Sequence, residues 1–368
     1  MNISRVFLNG CFRIKKVVIR SKATPAILMA ILAAALYGIS SPISKLLLKK
    51  IPPPFMAALL YLGAGFGMLI VHFVNVCSKK APTEAKITNK ELPFVIGMII
   101  LDIAAPIFLM VGLTMAPAEN ASLLNNFEIV ATALIALFLF KESIGKRMWL
   151  AILFITLSTI ILSVNDLRSL SFSVGSIFVV AACICWGFEN NCTRMLSIKN
   201  PLQIVIVKGL GSGFGSLVIS LVLKEYSKNL LYISLALFLG FIAYGLSIYF
   251  YIKAQRELGA ARTSTYYATA PFIGVLISWL ILKEIITFSF LLAFFIMIIG
   301  AYYAVSENHG HSHNHEEMTH EHKHNHEDGH HNHKHINKIT GEHCHVHAHE
   351  AMCHSHLHTP DLHHRHSH

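Results

Sequence analysis

Four ionisable residues fall where the surrounding sequence is almost wholly apolar. Asp102, Glu128, Glu189 and Lys208 each lie inside a run long enough to cross a bilayer. A charge at mid-bilayer costs on the order of 2.5–3.5 kcal/mol on insertion scales, so it persists only with a partner, a water-lined cavity or a chemical task. Amides and hydroxyls accompany these charges: Glu128 stands among Asn125, Asn126 and Thr132, and Glu189 beside Asn190 and Asn191. Ser122, Asn125, Glu128 and Thr132 recur at the spacing of one helical face, which predicts a polar stripe turned towards a bundle interior. Asp102, Asn125, Glu128, Trp186, Glu189, Asn190, Tyr244 and Tyr267 are the candidate lining of a path for a polar solute. The bland alternative is that these groups only tie helices together, at about 0.6 kcal/mol per interhelical hydrogen bond. Glu189 and Lys208 fall at similar depth, each about 10 Å from its helix end by the 1.5 Å rise. They are candidates for a structural ion pair or for a proton-coupling carboxylate whose charge a lysine relieves.

A second chemistry sits at the C-terminus. From His309 onward the chain holds 23 of its 24 histidines, mostly alternating with small or polar residues. His309, His311, His313 and His315, then His320, His322, His324 and His326, then His343, Cys344, His345, Cys353 and His354 offer imidazole and thiolate donors in many combinations. Such a segment suits Zn²⁺, Ni²⁺ or Co²⁺, held weakly and at several sites on a disordered tail. No cofactor is required elsewhere. Within the apolar part, Cys185, Glu189 and Cys192 at i, i+4 and i+7 are a weaker candidate for a soft ion.

The elements that must position these groups follow from composition. The 368 residues are 54% apolar and 14% charged, too apolar to leave a wettable surface around one soluble core. The apolar residues arrive in ten blocks of spanning length, near 25–48, 54–76, 93–113, 119–140, 148–164, 174–196, 202–223, 230–252, 259–282 and 285–305. The basic residues before the first block resemble a signal peptide, yet the block is too long and lacks a small-residue cleavage site, so it is read as helix one. Lys79, Lys80, Lys86, Lys90, Lys146 and Arg147 crowd the loops on the N-terminal side, which predicts a multi-pass protein of the plasma (inner) membrane with both termini cytoplasmic. Cysteines inside membrane helices and in the tail make no disulfide framework. No basic stripe with interleaved aromatics suggests nucleic acid, and no nucleophile–base constellation or dinucleotide fingerprint suggests an enzyme. The expected partners are the lipid bilayer, a small-molecule substrate and transition-metal ions at the tail, in a monomer or homodimer.

Fixed-offset comparison divides the blocks into two related halves. Tyr37-Gly38 through Ser44-Lys45 in helix one recurs at an offset of 149 as Trp186-Gly187 through Thr193-Arg194 in helix six. Gly63-Ala64-Gly65-Phe66-Gly67 recurs at 148 as Gly211-Ser212-Gly213-Phe214-Gly215, which reads as helix packing rather than a phosphate loop. In helix four, Ala118, Ser122, Leu134, Ile135, Lys141 and Glu142 recur at 142 as Ala260, Ser264, Leu276, Ile277, Lys283 and Glu284. By this last offset Asn125 corresponds to Tyr267 and Asp102 to Tyr244. Five helices per half is an odd number, so the second half must lie inverted, as in many carriers. The predicted fold is an all-α polytopic membrane protein, a 5+5 inverted repeat. A cytoplasmic segment spans 1–24, five-helix repeats span 25–164 and 173–305, and the tail spans 306–368.

An aromatic-Gly near the start of each half, a Lys-Glu pair closing each fourth helix and five plus five helices together resemble the EamA-type branch of the drug/metabolite transporter superfamily, over residues 25–305. The resemblance implies a carrier whose central cavity is lined by helices one, three, four, six, eight and nine. Where the family usually has a proline midway along helix four, the second half has Pro271 but the first has Ile129 preceded by Glu128. Family substrates include amino acids, sugars, nucleotide derivatives and drugs. Three functions are therefore open: a metabolite carrier with a metal-binding tail, a divalent-metal carrier whose tail collects ions, or a metal-responsive receptor or anchor.

Overall fold

The computed structural model describes residues 15–77, 87–140, 144–166, 171–196, 199–258, 263, 266–283, 286–306 and, in the tail, 310–315, 318–324, 343–349 and 352–357. Its body is a bundle of α1 (Lys15–Gly38), α2 (Ser40–Leu47), α3 (Pro53–Cys77), α4 (Leu92–Met115), α5 (Ala118–Leu124), α6 (Phe127–Phe140) and α7 (Lys146–Ser163), followed by α8 (Val174–Leu196), α9 (Pro201–Val222), α10 (Leu230–Gly240), α11 (Ser247–Leu258), α12 (Ala270–Leu282) and α13 (Phe288–Val305). Among the described residues nine helical segments are long and apolar enough to span a bilayer, and the shorter apolar α12 fills the ninth of the ten positions. Large apolar side chains such as Ile70, Phe73, Phe138, Val222, Phe238 and Phe295 face outward on every side of the bundle, a surface that only lipid can cover.

Local chemistry sets the helix ends. Asn200 caps α9, its Oδ1 accepting from the amides of Leu202 at 2.9 Å and Gln203 at 3.3 Å, with Pro201 in the first turn where no donor is needed. Thr287 caps α13 by accepting from Phe290 N at 3.1 Å. Lys283 closes α12 in the left-handed conformation, at φ 53°. Three spans are discontinuous: the first breaks between Gly38 and Ser40, the fourth at Asn125-Asn126, and the eighth passes through a π-helical stretch at Phe241–Leu246. The fourth block is thus two helices rather than the single one that its stripe predicts, because paired asparagines compete for backbone hydrogen bonds where an apolar pair would not.

The inverted repeat is visible as reciprocal packing. A Cβ placed on Gly65 of α3 would lie 2.7 Å from Leu210 N, and one on Gly213 of α9 would lie 2.7 Å from Leu62 N. The two contacts interchange under the offset of 148. Phe66 and Phe214, also 148 apart, meet edge to face with ring centroids 6.2 Å apart. The crossing of α3 and α9 therefore lies on the pseudo-two-fold axis. Off the axis, Gly38 of α1 abuts Ile273 of α12 while Gly187 of α8 abuts Ala131 of α6, which interchange under 149 and 142. For the third and eighth spans the operative offset is 138, since Gly211 meets Ile99 where Gly63 meets Leu237. This corrects the sequence alignment: Asp102 corresponds to Gly240, and Pro106, not Asp102, to Tyr244. The physical reason is that loops of unequal length separate the helix pairs, so one offset cannot serve all five.

Outside the bundle, Val164–Asp166 pairs antiparallel with Ser171–Phe172. In the tail, Gly310–His315 pairs antiparallel with Met352–Leu357, and Met318–His324 with His343–His349. The register sets His311 opposite His356, His313 opposite His354 and His322 opposite His345. His309, His326, Lys141, Glu142 and Glu284 lie outside the described residues.

The axis crossing yields an unequal pair of substitutions. A methyl on Gly63 would press on the backbone carbonyl of Leu237, which cannot yield, whereas a methyl on Gly211 meets the tip of the Ile99 side chain at 2.6 Å. Gly63→Ala is expected to destabilise the folded bundle by about 1–3 kcal/mol, and Gly211→Ala by clearly less. Thermal unfolding of the purified protein in detergent checks this; equal melting shifts would contradict it.

Candidate functional site

Two polar regions occupy the interior. The first is a small cavity at the breaks of the first and fourth spans, lined by Tyr37, Gly38, Ser41, Ser122, Asn125, Ala270, Pro271 and Gly274. Residues from both halves meet there. It has room for about one water molecule, so the path is closed at this level. Ser122 Oγ and Asn125 Oδ1 are buried in its wall with no hydrogen-bond partner. A buried polar atom without a partner costs about 1–3 kcal/mol, which a bound polar solute would recover.

The second region is a charge cluster. Lys208 Nζ on α9 lies 3.0 Å from Glu189 Oε1 on α8 and 3.1 Å from Asp102 Oδ2 on α4. All three residues are buried. Tyr61 of α3 donates to Asp102 Oδ1 at 2.8 Å, and Thr193 donates to Glu189 Oε1. Although Asp102 Oδ2 is within ion-pair distance of the ammonium, no donor is directed along a hydrogen bond to it. Alongside, Asn190 Nδ2 donates to Glu128 Oε1 at 2.6 Å and to Thr132 Oγ1 at 3.2 Å, while Asn191 Nδ2 ties α8 to the Thr132 carbonyl of α6 at 3.2 Å.

Tyrosines join the two regions. Tyr61 lies 5.3 Å from Tyr244 between ring centroids, Tyr244 lies 5.9 Å from Tyr37, and Tyr37 lies 5.7 Å from Tyr267, which in turn meets Tyr251 at 4.8 Å. Trp186, the counterpart of Tyr37, is buried beside the Tyr61 hydroxyl. Glu128 is within electrostatic reach of Tyr37, Tyr244 and Tyr267.

The predicted residues thus fall in one connected interior. Asn125 lines the cavity, Glu128 and Asn190 bond to each other, Glu189 and Lys208 pair, and Tyr244, Tyr267 and Trp186 belong to the aromatic link. Asp102 joins the ion pair as a second carboxylate, which its isolation in the sequence did not predict. Tyr61, Ser41 and Pro271 were missed; an uncharged ring in an apolar run carries no signal, whereas Tyr37 was flagged by its repeat. Cys185, Glu189 and Cys192 do not converge, because Glu189 is turned to Lys208. Among the described residues no group of three His, Cys, Asp or Glu is placed to hold a metal.

Removing one member of a buried ion cluster strands the others, at about 3–5 kcal/mol, while replacing all of them is nearly neutral. Lys208→Met should therefore sharply lower the folded yield, and Asp102→Asn with Glu189→Gln added should restore much of it, read by size-exclusion chromatography in detergent. A Lys208→Met protein as stable as the parent would contradict the pairing.

The comparisons with known proteins bear on this interior. An "Uncharacterized transporter" of Methanothermobacter thermautotrophicus is 26% identical over 270 residues, covering 69% of this chain and 78% of the relative. "Uncharacterized transporter YyaM" of Bacillus subtilis is 23% identical over 178 residues, covering 46% of this chain and 58% of its own length. A crystal structure 15% identical in sequence shares the fold with a TM-score of 0.56, over 76% of this chain and 95% of that one. The EamA-like transporter family matches residues 24–164 and again 173–306. With both halves matched, and with a ten-position bundle closed around an interior polar path, the chain belongs to the EamA-like transporter family, a multi-pass membrane transporter.

Proposed function

We propose that the chain is a secondary carrier that moves small organic metabolites by alternating access through the cavity between its two halves. The observation that carries this reading is the cavity at the breaks of the first and fourth spans, whose wall holds two unpartnered buried polar atoms, Ser122 Oγ and Asn125 Oδ1. Broken helices at mid-bilayer expose backbone and side-chain groups to a solute where continuous helices would not. The inverted packing supports the alternation, because two equivalent halves can exchange arrangements and so open the same site to opposite sides. The excess of Lys and Arg in alternate loops supports cytoplasmic termini in the plasma (inner) membrane.

In this reading the cavity walls separate as one end opens, and a polar group of the solute takes the place of the missing partners of Ser122 and Asn125. Glu128, held by Asn190, sets a negative potential beside the tyrosine rings and selects against anions. Metabolite profiling of cells producing the wild type and Asn125→Ala tests this directly. A set of small organic metabolites should change in the medium with the wild type, and Asn125→Ala at equal membrane abundance should reduce that change by about tenfold, the effect of one lost buried hydrogen bond. An unaltered metabolite profile with wild type in the membrane would contradict the carrier.

The tail we assign to metal binding. Alternating histidines, with His opposite His in both tail ladders, support several weak sites for Zn²⁺, Ni²⁺ or Co²⁺. Isothermal titration of the full chain with Zn²⁺ should show binding that is lost in the chain ending at Ser306; equal binding by both would refute the assignment.

A further inference from the structure

The inverted repeat makes the two ends of the path equivalent in backbone, yet the charge cluster belongs to one end alone. Under the offsets established by packing, Glu189 corresponds to Ser40, Lys208 to Leu60 and Asp102 to Gly240. The counterpart site is neutral and tightly closed by backbone: a Cβ on Gly240 would press on the Leu60 carbonyl, and Ser40 Oγ reaches only Tyr244 Oη, at 3.4 Å. On the charged side, one lysine faces two carboxylates, and the Oδ2 of fully buried Asp102 has no directed donor. Three different helices, α4, α8 and α9, are held together at that point.

We propose that Asp102, Glu189 and Lys208 form a one-sided latch with a proton site at Asp102 Oδ2: while the carboxylate is bare, the three charges hold their end of the path shut, and a proton from water entering at that end releases it. The proton forms an O–H bond at Asp102, which leaves Lys208 paired with Glu189 alone and α4 untied from the other two helices. The proposal rests on the carrier reading and adds to it a direction, since only one of two otherwise equivalent ends responds to protons. The other groups facing the cluster are Tyr61 of α3, Tyr244 of the π-helical stretch, Glu128 of α6 and Cys192 of α8. Glu128 is held by Asn190, and Tyr61 donates rather than accepts at Asp102, so neither supplies the missing proton in the closed arrangement.

The chain carries its own reporter. Cys192 lies one turn from Glu189, half-buried, and a Cβ on Gly97 of α4 would touch its Sγ at 3.2 Å, so it marks the α4–α8 seam that the latch closes. Its counterpart at the other end, by the offset of 149, is Ile43. In full-length protein with the other cysteines replaced, reconstituted in lipid nanodiscs so that both faces are wetted, modification by N-ethylmaleimide is followed at Cys192 or at Ile43→Cys. At neutral pH, Asp102→Asn is expected to speed modification of Cys192 about tenfold and to slow that of Ile43→Cys, a coupling of ordinary size between two sites. Glu189→Gln, which leaves Lys208 paired with Asp102, should act in the same direction. Unchanged rates at both positions would overturn the latch, and so would rates that rise together, the mark of a merely loosened bundle. The ratio of wild-type to Asp102→Asn rates at Cys192 cancels the ionisation of the thiol itself; it should climb towards one as the pH is lowered, and a ratio that stays constant would overturn the proton as the key. Metabolite exchange by the unaltered chain reports separately on the carrier, so exchange with unresponsive reporters defeats the latch alone.

Discussion

Lipid tails are as apolar as leucine, so nothing squeezes these helices together; they adhere only where backbones come close enough for dispersion and polar contacts to accumulate. The crossing of α3 and α9 is the place where this constraint is met most fully, with Gly65 against Leu210 and Gly213 against Leu62 across the pseudo-two-fold axis. From that crossing the rest is arranged in pairs. Gly38 seats α1 on α12, Gly187 seats α8 on α6, and the breaks of the first and fourth spans fall where these seats converge on a common interior. A site between two equivalent halves follows from packing alone, before any polar residue is considered.

Polar residues then make the halves unequal. The cavity is shared by both, but the Asp102–Lys208–Glu189 cluster has only serine, leucine and glycine as counterparts. Burying three charges in a bilayer is costly unless geometry is close and further donors assist, and here Tyr61 and Thr193 complete the cluster. A cost of that size borne on one side only is a strong constraint on which conformation rests lowest. The tyrosine series from Tyr61 through Tyr244 and Tyr37 to Tyr267 gives this cluster a packed connection to the cavity, so that movement at one is felt at the other.

Much of this was legible in the sequence because bilayer chemistry is severe. Ten apolar blocks, the recurring glycine runs and the four intramembrane charges were each visible without coordinates, and Glu189 and Lys208 were paired by depth alone. What stayed hidden depended on register and shape. The partnership of Asp102 with Lys208 needs the rotation of α4 about its axis, which an almost uniformly apolar helix does not record. The division of the fourth span at Asn125-Asn126 separated a stripe that periodicity had joined, sending Ser122 and Asn125 to the cavity and Glu128 and Thr132 to Asn190. The offset of 138 for the third and eighth spans was masked by loops of different length. Tyr61, an uncharged ring among leucines, had nothing to distinguish it until its hydroxyl was found on Asp102.

The central claim is that the two halves exchange arrangements about the α3–α9 axis. Leu139 of α6 and Lys253 of α11 are exposed at one end of the bundle, and their repeat equivalents Ile281 of α12 and Met115 of α4 are exposed at the other. Spin labels at each pair, in separate samples of the protein in lipid nanodiscs, allow the two distance distributions to be measured by pulsed electron paramagnetic resonance. The account predicts two populations at each pair, with the long fraction at one end equal to the short fraction at the other as lipid and pH are varied. A single unchanging distance at both ends, or fractions that lengthen together, would contradict it.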